Sequence, residues 1–311
     1  MIMLGNKITI IGGSGGIGQV FAKLFKNHGF EITLVARNQE KLKKVAKSLD
    51  VLFQTDLKES VADADIVMVT IPIETTPNMI EYVAPYMKKD ALIFDVTSLK
   101  EKVYQSLKKV QKTYPINSVS LHPMFGPGIQ KFQNYVMIML KVGGTKSYDR
   151  KMQSLKKLFE SEGLIIRVVL DPSYHDKIMA LVLGVPHMFN ILFIDLLRNA
   201  QIPLSELTKF TGTTFLLQKV FAESIIQREV HMFGEIQMNN SEFHKILDSF
   251  HKLLTEYRNI IKNNHMNKFE TIFSDGIEYS SKDSHFKRSY NYFYDFMKIL
   301  KEKKYEEKPD L

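Results

Sequence analysis

The stretch Lys7–Asn38, KITIIGGSGGIGQVFAKLFKNHGFEITLVARN, decides the fold. Ile8-Thr9-Ile10-Ile11 reads as a strand buried on both faces. The loop Gly12-Gly13-Ser14-Gly15-Gly16-Ile17-Gly18 follows, then an amphipathic helical run from Gly16 to His28 and a second strand over Glu31–Ala36. Gly13, Gly15 and Gly18 match G-x-G-x-x-G, a pattern that informs only between a strand and a helix, which is where it stands here. In that setting Gly13 serves the tight turn, Gly15 lets backbone approach a pyrophosphate, and Gly18 lets the helix pack on the strand. The helix start offers free N–H groups and a positive dipole end to phosphate. A bound dinucleotide is therefore expected, against the plain alternative of a flexible turn.

The end of the second strand bears on which dinucleotide. An acidic residue there would accept from a ribose 2′-hydroxyl. This chain has Val35-Ala36-Arg37-Asn38 instead, with Arg37 nineteen residues after Gly18. A guanidinium can hold a 2′-phosphate through a forked, charge-assisted pair, and Lys41 follows one helical turn later. NADP is expected, with NAD as the alternative; a solvent-facing Arg37 without a ligand is the bland reading of the position. The expected cofactor set is Gly13, Ser14, Gly15, Gly16, Ile17 and Gly18 on the loop, Arg37, Asn38 and Lys41 at the second strand, and Ile71 and Pro72 at the end of a later one.

Outward from this unit the pattern repeats. Ile66–Ile71, Ala91–Val96 and Ser118–His122 read as strands; Gln39–Ser48, Thr75–Met87 and Leu99–Lys109 read as helices. Near-continuous apolar strands alternating with helices predict a parallel sheet covered on both faces. Tyr135–Leu140 and Leu164–Leu170, flanking a helix over Tyr148–Ser161, extend it. Beyond residue 171 strand signals stop, and helical periodicity runs over Tyr174–Asn199, Thr213–Gln227, Ser241–Asn263 and an aromatic-rich stretch to about Leu300. The expectation is an α/β Rossmann-type doubly wound sheet over residues 1–171, an all-α C-terminal domain over 172–300, and a charged, frayed tail over 301–311.

The chain has 311 residues, a net charge of +8 and no cysteine. Disulfides, cysteine nucleophiles and thiolate metal sites are excluded, and no His/Asp/Glu set has zinc spacing, so no metal is expected. Seven arginines against 35 dispersed lysines look like a solvated surface rather than a nucleic-acid footprint. No secretory leader is expected, because Met1–Ile11 runs straight into a strand. Ile178–Leu197 is nearly long and apolar enough to span a bilayer, but it carries His187, Asn190 and Asp195, which are costly in lipid. A helix buried on all sides, in a core or between subunits, is expected instead of a membrane span.

Two further strings sit at strand carboxyl ends, where open α/β sheets place ligands: Asp95-Val96-Thr97-Ser98-Leu99-Lys100 and His122-Pro123-Met124-Phe125-Gly126-Pro127. With the glycine loop, Tyr174-His175-Asp176-Lys177-Ile178-Met179 and Gly184-Val185-Pro186-His187, they resemble the prephenate dehydrogenase family, especially its archaeal-type members, from Lys7 to about residue 240. That resemblance implies oxidative decarboxylation of prephenate to 4-hydroxyphenylpyruvate, or of arogenate to tyrosine, on the route to tyrosine. It implies His122 as the base for the substrate 4-hydroxyl, Ser98 as the residue orienting it, and His187 as a substrate-binding histidine, with the site in an interdomain cleft. It also implies a cytoplasmic homodimer joined through the helical domain, and no chorismate mutase segment is expected ahead of the glycine loop. Taken alone, His122 would be a turn residue, Ser98 a helix N-cap and His187 a satisfied core histidine. His175 and Asp176 read as structural, with Ser173 and Asp176 resembling a capping box.

The sequence departs from the family at one place. Many bacterial members bind a substrate carboxylate with an arginine of the helical domain, where this chain reads Gly212-Thr213-Thr214-Phe215-Leu216-Leu217-Gln218-Lys219. Lys219, Arg228 and Lys100 are the expected substitutes, since an uncompensated carboxylate in a closed cleft is costly. A related dehydrogenase of another small acid and a non-enzymatic NADP sensor are the competing readings.

Overall fold

A computed structural model describes residues 4–306. The chain forms β1 (Lys7–Ile11), α1 (Gly16–Asn27), β2 (Glu31–Val35), α2 (Gln39–Leu49), β3 (Leu52–Gln54), α3 (Leu57–Ala62), β4 (Ile66–Val69) and α4 (Thr76–Val83). It continues through β5 (Leu92–Asp95), α5 (Glu101–Thr113), β6 (Asn117–Pro123), β7 (Val136–Gly143), α6 (Tyr148–Ser161), β8 (Ile165–Val169) and α7 (Pro172–Met179). The remaining helices are α8 (Val185–Asn199), α9 (Leu204–Lys209), α10 (Thr213–Ile226), α11 (Val230–Met238), α12 (Ser241–Lys262), α13 (Met266–Ser280) and α14 (Ser289–Glu306).

One sheet of eight strands runs β3-β2-β1-β4-β5-β6-β7-β8. Its first six strands have the order 3-2-1-4-5-6 of the doubly wound dinucleotide fold, and all are parallel. The sheet is not parallel throughout, as the sequence suggested: β7 runs antiparallel to β6, and β8 follows β7 in parallel. The central strands β4 and β5 are buried at every residue, because helices cover both faces. On one face Phe21, Phe25, Phe94 and Phe159 pack together with ring centroids 6.1–6.5 Å apart. On the other, Val67, Val69 and Ile93 meet Ile80, Val83, Val103 and Leu107.

The chain divides into two compact units. The first holds residues 1–180 and Gly234–Asn240; the second holds Leu181–Phe233 and the residues from Ser241. The first therefore extends past the expected boundary at residue 171, because α7 docks on the start of α5 through Asp176. In the second unit, α8 meets α10 through Phe193 and Phe215, with ring centroids 5.9 Å apart, and Gln218 donates to Asn190 at 3.0 Å.

Several local expectations change. The helix expected over Tyr174–Asn199 breaks into α7, a π-turn over Ala180–Gly184, and α8. Helical residues Pro172–Asn199 are long and apolar enough to cross a membrane by length and composition. Within one copy they are not buried on all sides, which removes the core half of the expectation: Leu181, Val182, Phe189, Leu192 and Leu196 all stand exposed. The charged tail starts helical, since α14 continues to Glu306; the rest of it lies outside the described residues.

Candidate functional site

The carboxyl ends of β1 and β4 adjoin where the strand order reverses, and the glycine loop leaves β1 at that point. The N–H groups of Gly12 and Gly13 both donate to the Val35 carbonyl, at 2.7 and 3.1 Å, which folds the loop over β2. Gly12, not Gly13, makes the left-handed turn, with φ +85°, and a Cβ there would lie 2.1 Å from the Thr70 carbonyl oxygen. At Gly18 a Cβ would sit 2.8 Å from Gly13 Cα, so α1 can approach its own loop only without one. No side chain among the described residues caps α1, which leaves its first N–H groups for an anion.

Beside the loop lies a cavity of about 550 Å³ lined by Gly12, Ser14, Arg37, Asn38, Lys41, Thr55, Thr70, Ile71, Pro72 and Thr75, among others. The side-chain-free cradle, the uncapped helix start and this cavity fit a dinucleotide. Arg37 has no carboxylate partner among the described residues and lines the cavity, whereas the Asn38 side chain caps α2 by accepting from Lys41 N at 2.9 Å. Gly13, Gly15, Gly16, Ile17 and Gly18 form the cradle itself. The loop after β6 reaches it as well: a Cβ on Gly16 would meet the Pro127 ring at 2.7 Å.

Ser98 follows β5 and His122 lies at the carboxyl end of the neighbouring parallel β6, in a register that pairs Asp95 with Ser120. Ser98 is half-buried and is not the N-cap of α5; that position is Lys100, which has no side-chain cap of its own. The amides are satisfied from another element. Asp176 of α7 accepts from Lys100 N at 2.8 Å and from Glu101 N at 3.0 Å. Asp176 is thus no capping-box partner of Ser173: Asp171 caps α7, accepting from Ser173 N at 2.9 Å.

Asp176 also accepts from His175 Nδ1 at 2.7 Å, and His175 Nε2 lies 3.0 Å from His122 Nδ1. The three side chains form one buried chain. Burial holds His122 well below the usual 6.5, and positive charge on the neighbouring Lys100, or on His175 were it protonated, pushes the same way. Burial lowers His175 too, although the hydrogen bond to Asp176 opposes it. Both imidazoles are therefore neutral at physiological pH. Sequence reasoning missed this partnership; a His-Asp pair opening a helix, in a chain with a strand-end histidine, was the signal.

Lys100 is not placed as expected. Its ammonium is fully buried, bonding the Asp95 carboxylate at 2.7 Å and the Leu121 carbonyl at 2.6 Å. Asp95 also accepts from Ser120 and Thr97. A cation engaged in this network braces β5 against β6, so Lys100 does not serve as a free counter-charge for substrate. In the helical unit, Lys219 pairs with Glu223 at 2.9 Å one turn away, and Arg228 is exposed. His187 lies edge-on to Phe233 with centroids 4.7 Å apart. Burial lowers its pKa to about 4, and its Nδ1 is buried without a partner among the described residues. No group of three or more potential metal ligands occurs among the described residues.

Fold and glycine cradle together define a dinucleotide-binding protein with a helical second unit. Family models for the prephenate dehydrogenase nucleotide-binding domain and dimerization domain match residues 21–166 and 171–275. A Methanocaldococcus jannaschii protein described as a probable arogenate/prephenate dehydrogenase is 30% identical over 280 residues, covering 89% of this chain and 61% of that protein. The T-protein of Haemophilus influenzae is 23% identical, covering 86% of this chain and 65% of its own length. The chain belongs to the prephenate dehydrogenase family. It spans less than two thirds of the length of these two relatives. The fold is shared with the prephenate dehydrogenase of A. aeolicus, solved with hydroxyphenyl propionate and NAD+ (TM-score 0.70, 21% identity, 90% of this chain and 99% of that one). It is shared too with the arogenate dehydrogenase of Synechocystis (TM-score 0.65, 18% identity, 89% and 99% covered).

Proposed function

We propose that this chain is a prephenate dehydrogenase that uses NADP and works as a cytoplasmic homodimer. The observation that carries the reading is a buried His122 at the carboxyl end of β6, a strand whose following loop touches the dinucleotide cradle through Pro127. Gly12 to Gly18 and the start of α1 would hold the pyrophosphate, and Arg37 with Lys41 the 2′-phosphate. The bound nicotinamide supplies the hydride acceptor.

His122 Nε2 accepts a hydrogen bond from the substrate 4-hydroxyl, and takes its proton as the C4–H bond gives up hydride. The ring carboxylate then leaves as CO2, and the proton returns to the oxygen of the new phenol. A neutral imidazole suits this role, and the depressed pKa keeps it neutral below pH 6.5. Ser98, freed from capping, orients the hydroxyl. His187, whose Nδ1 has no partner among the described residues, contacts the substrate side chain, and Lys219 or Arg228 supplies its counter-charge. Arogenate is the alternative substrate, because nothing in Lys219 or Arg228 distinguishes a pyruvyl from an alanyl side chain.

The homodimer reading rests on the exposed apolar side of α8, which a second copy of the helical unit would cover. The test is nicotinamide reduction with prephenate and with arogenate, each with NADP+ and NAD+. Turnover with prephenate and NADP+ is expected, with His122→Asn lowering kcat by about 10²–10⁴-fold. Near-wild-type turnover in that variant would remove His122 as the base.

A further inference from the structure

One end of the buried chain His122–His175–Asp176 fixes the hydrogen positions of the whole. A carboxylate accepts and does not donate, and Asp176 already takes two backbone N–H groups on its oxygens. The hydrogen in the 2.7 Å contact must therefore sit on His175 Nδ1. A neutral imidazole carries one hydrogen, so His175 Nε2 is left as an acceptor. The 3.0 Å contact between the rings is then filled by a hydrogen on His122 Nδ1. His122 Nε2, which engages no described side chain, is left with its lone pair.

We propose that Asp176, acting through His175, locks His122 into the tautomer that exposes Nε2 as a base. Both are positioning residues, and the proposal rests on the reading of His122 as the proton acceptor. The arrangement ties chemistry to architecture. Asp176 caps α5, the helix that follows the Ser98 turn, with the same carboxylate that orients the base. Helix capping and base orientation thus share one side chain. The charged groups facing the two rings are Asp176 from α7, Lys100 ahead of α5 and Asp95 from β5. When His122 takes a proton, its imidazolium is stabilised through His175 by Asp176 and opposed by Lys100.

Asp176→Asn tests the lock with little change in shape. The amide oxygen can still cap Lys100 and Glu101, but an NH2 facing His175 Nδ1 reverses both rings and places a hydrogen on His122 Nε2. Nitrogen-15 NMR of the full-length protein with labelled histidine reads the tautomer directly, with or without turnover. The wild type should show a pyridine-type Nε2 at His122, and Asp176→Asn a pyrrole-type one. In the assay, that variant should lose about 10⁴-fold in kcat, as expected for a wrong tautomer, with KM for the acid and dinucleotide binding nearly unchanged. His175→Gln keeps an acceptor opposite His122 Nδ1 and should recover most of the activity that His175→Leu loses. A pyrrole-type Nε2 in the wild type overturns the proposal, as does an Asp176→Asn protein with the wild-type tautomer. So does equal activity of the Gln and Leu variants. If neither prephenate nor arogenate is oxidised, the wild-type spectrum still decides the tautomer, so the two readings fail separately.

Discussion

In the dinucleotide-binding unit, Phe21, Phe25, Phe94 and Phe159 are fully closed off from solvent, whereas in the helical unit Leu196 and Phe210 stand 70% and 81% exposed. Both units are rich in large apolar side chains, yet only the first buries most of its own. A twisted sheet with helices on two faces has two interiors, each closed by elements of the same unit. The helices α8, α10, α12 and α13 carry apolar residues on more than one side, and a single copy lacks the layers to cover them. The first unit is thus finished by its own chain. In our reading the second is finished by another copy, while the base and its two supporting residues all belong to the first.

Four measurements would break or sharpen this contrast. The largest effect belongs to the self-contained interior: Phe25→Ala should cost about 3–5 kcal/mol, read from the denaturant midpoint, while Leu196→Ala should cost less than about 0.5 kcal/mol in a monomer. Equal costs would erase the contrast. Next, Leu196→Asp should weaken self-association by about a hundredfold, or about 2.7 kcal/mol, in sedimentation equilibrium; a wild type that sediments as a monomer would end the dimer reading. A smaller change is expected at the cofactor: Arg37→Asp should lower the preference for NADP over NAD by at least about tenfold in kcat/KM, with subunit association unaffected.

The smallest effect is a slope. His122, His175 and His187 titrate lower in the folded chain than the ordinary 6.5. The unfolded chain therefore binds more protons below pH 6.5, and stability must fall as pH drops through that value toward 4. Replacing His187 by Phe should flatten that fall by about 2–4 °C in Tm per pH unit. An unchanged slope would mean that His187 is solvated in solution.

The fold was legible where side chains repeat a simple period. The glycine loop, the buried strands and the helix over Tyr148–Ser161 all follow from apolar spacing and turn residues. β3 was not legible, because Leu52-Phe53-Gln54 is a three-residue edge strand with Leu52 65% exposed. Too short for alternation to register, it pairs only with β2. The reversal at β7 also leaves no local mark, since strand direction is set by the connection and not by composition. In the site, Gly13, Gly15, Gly18, Ser98 and His122 stand on recognisable strings. The role of Asp176 does not, because its partners Lys100 and Glu101 are far off in sequence and its nearest local pattern suggested a capping box. Lys100 misled for a related reason: a lysine beside a strand end looks available until the Asp95 carboxylate is seen holding it.

The return of Gly234–Asn240 to the first unit has a consequence for how this chain can change over evolutionary time. Within that segment Glu235 accepts from Ile73 N at 2.9 Å, and Asn239 and Asn240 donate to Glu74 and to the Asp176 carbonyl. The excursion from Leu181 to Phe233 is therefore tethered at both ends. Insertions and deletions within it are tolerable only if the chain still comes back in register, whereas the described residues from Ser241 on do not rejoin the first unit. Length variation among relatives should accordingly collect in the later helices, and a recombination break between residues 181 and 233 should be selected against even where both parental units are sound.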